Sequence, residues 1–278
     1  MKKKVWILAL AAVLVMGLYG CGKKAKTAQE VLTETGKNVE TIENVAFRLQ
    51  MDLYIRELIL PSQIIMEGTL AGDPVLLHAN MDVNMGIMGK NKMELYSSQE
   101  WGKTVTWTKT AIEGIDADWA DPVKAKWKKR EVPDKSNVIL DSLKLIERLK
   151  DVKMAQETET INGLETVRLD GTVSGQELLE LVNSLACTIG SGDISEDANQ
   201  VEKQKMDALL EKRIPVTYLI DPETMLPAAC TVDCTELIET IGKPSDPGTR
   251  MTSLAKFTYV GYNTIQHIEI PQEVLDAQ

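Results

Sequence analysis

The chain has two histidines, His78 and His267, as its candidates for acid–base catalysis by an imidazole. Each lies in a segment of alternating side chains that predicts a strand, a setting that favours a surface imidazole over a catalytic one. The sequence contains no Gly-x-Ser-x-Gly elbow, no phosphate-binding loop, no His-Glu-x-x-His and no paired-cysteine zinc spacing. Hydrolase and nucleotide chemistry are therefore poorly supported, and we do not predict an enzyme.

Four methionines could do a different kind of chemistry, because thioethers bind copper(I) outside the cytoplasm. They are Met81, Met85, Met88 and Met93. Met81 and Met85 fall on one face of a predicted strand, and that pattern is also typical of an adaptable core or an apolar pocket. We favour the apolar interpretation and predict no metal site and no cofactor.

Three aspartates close together in the sequence, Asp116, Asp118 and Asp121, are candidate ligands for calcium. They lack the central glycine and the terminal glutamate that such a loop requires. We therefore interpret them as solvated carboxylates.

Cys21 is the residue for which the sequence predicts a definite chemistry. A basic start, Met1–Lys4, precedes a run of about 14 apolar residues that is too short to span a bilayer and indicates a secretory signal. The run ends in Leu18-Tyr19-Gly20-Cys21, which resembles the bacterial lipobox apart from Tyr19, where a small residue is usual. The resemblance implies that residues 1–20 are removed and that Cys21 is acylated, anchoring the protein to the extracytoplasmic face of the cell membrane.

The composition limits the partners of the remaining chain. The sequence holds 31 Lys and Arg against 41 Asp and Glu, and loss of the three lysines of the signal leaves 28 against 41, a formal charge of −13. The one cationic cluster, Lys124–Arg130, is short, so nucleic acid is not a predicted partner. Anionic lipid would repel such a domain at long range, so the membrane attachment must come from the acyl chains.

Three further cysteines, Cys187, Cys230 and Cys234, are too few for a disulfide scaffold. On one strand, Cys230 and Cys234 would lie about 13 Å apart, too far to bridge each other. Either one of them pairs with Cys187, or all three are buried thiols.

The first half of the domain is dominated by period-two segments. Residues 21–26 are predicted to form a tether, and Thr27 with Glu30 predicts a capping box that opens a helix through Lys37. Alternation of apolar and polar residues then predicts a meander of five antiparallel strands. They are placed at 45–56, 63–70, 77–85, 92–99 and 104–110. Residues 116–133 show no clear period and are predicted to be irregular.

The second half mixes helices with shorter strands. Ser136–Leu149 carries a broad apolar stripe and predicts the helix that covers the meander. Asn162-Gly163 predicts a hairpin, and Ser174 begins a third helix. The other predicted elements are a polar excursion at 188–200, a helix at 201–212, strands at 214–221, 228–235 and 254–262 with a continuation at 265–270, a loop at 239–250, and a helical turn from Pro271.

This order of elements resembles the bacterial lipoprotein-carrier superfamily of the LolA/LolB and LppX/LprG type. The residues that carry the resemblance are Thr27–Leu32, Val216–Thr224 with Leu226-Pro227, and Phe257–Tyr259 with Tyr262-Asn263 and Ile270-Pro271. It implies an α+β fold over residues 27–278, in which a strongly curved antiparallel sheet, a half-barrel, wraps helices and encloses a cavity for lipid. Residues 188–212 have no counterpart in the simplest members.

Together these features predict a membrane-anchored envelope lipoprotein that binds an acyl chain or another apolar ligand between sheet and helices. Met and Leu, rather than aromatic residues, dominate the inner strand faces, which suits flexible hydrocarbon. The predicted lining residues are Phe47, Leu49, Met51, Leu53, Met81, Val83, Met85, Leu143 and Ile146. The alternative is a structural or sensory lipoprotein with a filled core, which contacts another envelope protein through its outer face and residues 188–212.

Overall fold

A computed structural model of the chain describes residues 26–55, 62–72, 75–84, 89–100, 102–113, 125–133, 138–188, 200–241 and 251–277. The signal segment, Cys21, Met85 and the three aspartates at 116, 118 and 121 lie outside the described residues, so the predictions for them stay predictions. The helices are α1 (Ala28–Val39), α2 (Val138–Lys144), α3 (Gly175–Thr188), α4 (Gln200–Leu210), α5 (Thr235–Ile241) and α6 (Gln272–Leu275). The strands are β1 (Asn44–Ile55), β2 (Ser62–Gly72), β3 (Val75–Asn84), β4 (Lys90–Glu100), β5 (Lys103–Glu113), β6 (Lys128–Pro133), β7 (Lys150–Met154), β8 (Glu159–Ile161), β9 (Leu164–Ser174), β10 (Arg213–Ile220), β11 (Pro227–Asp233) and β12 (Met251–Tyr262).

The strands form one large antiparallel sheet. Their order is β6-β5-β4-β3-β2-β1-β12-β11-β10-β9-β7, with β8 paired to β9. β6 and β7 stand at the two ends of this order, so the sheet is open. The prediction of an α+β half-barrel, an open antiparallel sheet combined with helices, is confirmed.

β1 is the central strand, and its alternation fixes which side chains enter the core. Val45, Phe47 and Leu49 are at most 2% exposed, whereas the residues between them face outward. Leu49 lies opposite Met66 on β2 and Phe257 on β12. A shift of one residue in this register would turn every apolar side chain of the strand toward solvent, so the hydrophobic pattern specifies the pairing.

α1 begins with the predicted capping box. The backbone N–H of Glu30 donates to Thr27 Oγ1 (3.2 Å), and the backbone N–H of Thr27 donates to Glu30 Oε2 (2.7 Å). The second bond stabilises the carboxylate and lowers the pKa of Glu30. Val31 and Leu32 form the buried face, as predicted.

The covering helix differs from its prediction. The stretch predicted as one α-helix is α2 followed by a 3₁₀ turn at Leu145–Arg148. The tighter turn keeps two consecutive residues, Leu145 and Ile146, against the core at 3% and 0% exposure.

Two tyrosines of the sheet hold α2 in place through Ser142. The hydroxyl of Tyr218 on β10 donates to the backbone oxygen of Ser142 (2.6 Å), and the hydroxyls of Ser142 and Tyr259 on β12 share a hydrogen bond of 3.0 Å. Burial raises the pKa of both phenols, so they stay protonated and can make these bonds. Ser142, Tyr218 and Tyr259 are far apart in the chain, so local sequence patterns give no sign of this cluster.

Several local predictions are confirmed and three are wrong. The β8–β9 hairpin turns at Asn162 and Gly163, both with positive φ. Residues 128–133, predicted to be irregular, form the edge strand β6; an edge strand can expose charged side chains on both faces and so shows no apolar period. Residues 239–241, predicted to belong to a loop, form the end of α5, whereas the rest of that predicted loop lies outside the described residues. Residues 265–270 do not continue β12.

Among the described residues, no helix is both long and apolar enough to cross a membrane.

Candidate ligand-binding cleft

Most of the residues predicted to line a ligand cavity lie together, but they pack against one another in the hydrophobic core. Phe47, Leu49, Met81, Leu143 and Ile146 are all buried in a single hydrophobic cluster. Met51 and Val83 pack against this cluster and are partly buried, and Leu53 on β1 is partly exposed. These side chains therefore fill the space between sheet and helices, and their role in ligand binding stays a prediction.

A cleft of about 980 Å³ opens beside this core, where β1, β2 and β3 reach one edge of the sheet at their strand ends. It lies between the end of α1, the paired ends of β2 and β3, the end of α2 and the chain after β12. Its lining residues are Val39, Glu40, Ile42, Glu43, Asn44, Ala71, Gly72, Leu76, Leu143, Lys144, Glu147, Ile265, Gln266, His267 and Ile268. Leu143 is the one predicted lining residue among them.

The lining is divided between buried apolar side chains and exposed polar ones. Val39, Leu143 and Ile268 are at most 7% exposed, and Ile42 and Leu76 are half-buried. The exposed members are Glu40, Glu43, Lys144, Glu147, Gln266 and His267. The cleft thus has an apolar interior and a polar mouth.

One wall of the cleft depends on Asn263, which ends β12 and turns the chain across the end of the sheet. Asn263 has a φ of 55°, a left-handed conformation that asparagine tolerates better than most residues. Its Oδ1 accepts hydrogen bonds from the backbone N–H groups of Glu43 (2.8 Å) and Asn44 (3.2 Å). Asn44 Oδ1 in turn accepts from the N–H of Ile265 (2.9 Å). These bonds hold residues 265–268 over the cleft, an arrangement that strand periodicity could not reveal.

The chain then continues onto the outer face of the sheet. There Val274 of α6 is buried against Tyr96, Val105 and Trp107, and Ile270 packs beside them. His78 stacks on Tyr96 with ring centroids 4.3 Å apart, and burial raises the pKa of the Tyr96 phenol. The aromatic cluster anchors the far end of the segment that forms the cleft wall.

The two histidines do not combine into a catalytic site. His78 lies on the outer face with Nε2 3.3 Å from Glu94 Oε1, whereas His267 is at the mouth of the cleft. Within the described residues, no group of three or more His, Cys, Asp or Glu is placed to hold a metal ion. Met81 lies between Met66 and Met93 on neighbouring strands, and the three thioethers belong to the core.

Two of the cysteines left open by the sequence are free thiols. Cys230 and Cys234 are at most 2% exposed and form no disulfide. Burial raises the pKa of each thiol to about 12, because a thiolate is poorly solvated in the core. Both behave as small apolar residues, so the alternative in which one of them pairs with Cys187 is wrong.

The open antiparallel sheet combined with helices defines the chain as an α+β domain. The chain belongs to the family described as a family of unknown function, DUF6612, whose profile matches residues 27–278. No curated protein matches its sequence significantly.

Solved structures of similar architecture include LprF from Mycobacterium bovis, at 13% identity and a TM-score of 0.49, covering 89% of this chain and 97% of that one. The lipoprotein LppX from Mycobacterium tuberculosis is 11% identical with a TM-score of 0.43, covering 86% and 98%. A LolA superfamily protein from Nitrosomonas europaea is 6% identical with a TM-score of 0.25, covering 90% and 97%. These similarities concern architecture alone.

Proposed function

We propose that the domain binds the apolar chain of an amphiphile in the cleft, and that it does so as a membrane-anchored envelope lipoprotein. The observation that carries the proposal is the cleft of about 980 Å³, which has an apolar interior and a polar mouth. Sites for small ligands usually enclose about 300–1,000 Å³ and are mainly apolar with a few polar groups. A chain that enters the interior would leave its head group at the mouth.

The interior suits a flexible chain because its surfaces are aliphatic. Val39, Ile42, Leu76, Leu143 and Ile268 come from four separate parts of the fold, and all five side chains are aliphatic. Each methylene transferred from water into such surroundings contributes about 0.8 kcal/mol. Affinity would therefore rise with chain length until the interior is filled.

Filling the cleft is expected to abolish binding. In Leu76→Trp the larger side chain would occupy the interior, so we expect at least a tenfold loss of affinity for the uncharged fluorophore N-phenyl-1-naphthylamine. The measurement uses the acyl-free chain, meaning residues 21–278 with Cys21→Ser. Ile265→Trp serves as a second variant, because its larger side chain would occupy the same cleft from a segment without regular secondary structure.

The matched control is Leu254→Trp, since Leu254 is also on a strand but is 51% exposed and outside the cleft. It should bind the fluorophore as the parent does. If wild-type protein takes up neither the fluorophore nor fatty acid, and native mass spectrometry with lipid extraction finds no bound lipid, the proposed function is wrong.

The anchoring part of the proposal concerns Cys21. Two or three acyl chains on this residue contribute about 0.8 kcal/mol per buried methylene, enough for stable attachment of an acidic domain. We expect Cys21→Ser to be secreted or to remain an unprocessed precursor, whereas Cys187→Ser, which leaves the lipobox intact, stays in the membrane fraction. Processed Cys21→Ser that still fractionates with membranes after a high-salt wash would contradict lipidation.

A second candidate function, contact with another envelope protein, is supported by a different surface. Tyr54 on β1 and Leu254 on β12 are 48% and 51% exposed and are diagonal neighbours on paired strands. Exposed apolar side chains grouped on one face are typical of interaction surfaces. If Leu254→Glu removes an in-cell cross-link to an envelope protein while fluorophore binding is absent in the parent, this function replaces the first.

A further inference from the structure

The mouth of the cleft carries an unbalanced charge. Three exposed carboxylates, Glu40, Glu43 and Glu147, surround it with one ammonium group, Lys144. Within the part of the chain that the structure describes, none of the three carboxylates forms an ion pair. A head group at the mouth would therefore meet a net negative field, to which the acidic domain as a whole adds.

A helix end adds to this field independently of the side chains. α1 is 12 residues long and ends at Val39, a residue of the cleft lining, with Glu40 as its C-cap. The C-terminus of a helix carries a partial negative charge, equivalent to roughly half an elementary charge. The end of α1 therefore favours a cation at the mouth of the cleft, as the three carboxylates do.

Hydrogen-bonding chemistry leads to the same preference. Ionised carboxylates accept hydrogen bonds and cannot donate them. An ammonium or hydroxyl head can donate to Glu40, Glu43 or Glu147, whereas a carboxylate or phosphate head offers further acceptors and has Lys144 as its one cationic partner in the lining.

We propose that the cleft selects amphiphiles whose head group is a hydrogen-bond donor without negative charge, either an ammonium or a hydroxyl group. This inference rests on the proposed function, since it names the class of ligand for the same cleft. Glu40, Glu43 and Glu147 are then specificity-determining residues at the mouth, and the aliphatic interior contributes most of the affinity.

The test compares three ligands that share a twelve-carbon chain and differ in the head: dodecylamine, dodecanol and dodecanoate. Each displaces N-phenyl-1-naphthylamine from the acyl-free chain at pH 8, where the amine is charged and the acid is ionised. Each net negative charge at the mouth is expected to strengthen the binding of dodecylamine and to weaken that of dodecanoate, each by about twofold at low salt. With three carboxylates against one ammonium group, dodecylamine should therefore bind roughly 16-fold more tightly than dodecanoate. Dodecanol should fall between them, and salt at about 500 mM should reduce the difference to about twofold.

Charge-removing variants separate specificity from affinity. The triple variant Glu40→Gln, Glu43→Gln, Glu147→Gln should no longer prefer dodecylamine over dodecanoate, because Lys144 becomes the one charged side chain of the lining, with little change for dodecanol. Lys144→Gln should weaken dodecanoate further, and Glu211→Gln, an exposed glutamate outside the cleft, should change nothing.

The outcomes distinguish the two proposals. If no twelve-carbon ligand displaces the fluorophore and none binds directly, the proposed function fails. If all three bind with equal affinity at low salt, or dodecanoate binds best, the cleft binds chains and the inference about the head group is wrong. If the preference exists but survives in the triple variant, these glutamates do not determine it and the inference is overturned.

Discussion

Gly175→Ala is expected to destabilise the domain by about 3 kcal/mol, because the first residue of α3 has no room for a side chain. A Cβ atom at this position would lie 1.9 Å from the backbone oxygen of Leu209 and 2.7 Å from its carbonyl carbon, at the end of α4. The N–H of Gly175 also donates to the oxygen of Lys212 (2.9 Å). Relief of the clash requires that the backbone of one helix move, and this bond would be strained.

The same substitution at Gly36 is the matched control, with the opposite sign expected. Gly36 lies inside α1, and its nearest neighbour to a new Cβ is the flexible Glu147 side chain at 3.4 Å. Alanine in a helix interior is more favourable than glycine by roughly 0.5–1 kcal/mol. Urea unfolding of the acyl-free chain measures both values. A Gly175→Ala variant within about 0.5 kcal/mol of the parent would show that α3 and α4 are not in contact as described.

Alkaline unfolding is the second large effect. The thiols of Cys230 and Cys234 have a pKa of about 12 in the folded chain, compared with 9.0 for an unperturbed thiol. Above pH 9 the unfolded chain loses these protons while the folded chain keeps them, so unfolding becomes more favourable as the pH rises. The contribution is fully present below pH 9 and is lost as the pH rises to about 12. At pH 11 the loss is on the order of 2–3 kcal/mol per thiol.

Buried phenols extend the effect to higher pH, because burial raises the pKa of Tyr218 and Tyr259 well above its ordinary value. With a typical total stability of about 5–15 kcal/mol, we expect the domain to unfold between about pH 10 and 12. The free energy of unfolding measured at intervals of pH gives the slope. The Cys230→Ala, Cys234→Ala variant should have a smaller slope between pH 9 and 10, where thiols contribute more than phenols. A parent protein whose stability does not change over this interval would contradict the burial of these thiols.

Local sequence patterns predicted the individual elements well. The capping box at Thr27 and Glu30, the alternation along β1 and the Asn162-Gly163 turn are each specified by residues a few positions apart, so their physical causes are visible in the chain. Prediction from local patterns failed where an element forms only by pairing with a part of the chain that gives no local signal. β6 forms because its backbone groups pair with those of β5. The charged side chains of β6 show no apolar period, so the sequence gives no signal of that pairing.

The candidate site also depends partly on local sequence patterns and partly on contacts between distant parts of the chain. The sequence by itself determined which side chains are apolar and which strand faces point inward, and it therefore identified Phe47, Leu49 and Ile146 as interior. Whether an interior residue fills the core or borders a space depends on how the elements pack, and packing placed these three in the core and left Leu143 at the cleft. The cleft itself lies between α1, the paired ends of β2 and β3, α2 and residues 265–268. Asn263 directs those residues there through bonds to Glu43 and Asn44, about 220 positions earlier in the chain. A contact over that separation leaves no periodic trace, so only the tertiary structure could decide it.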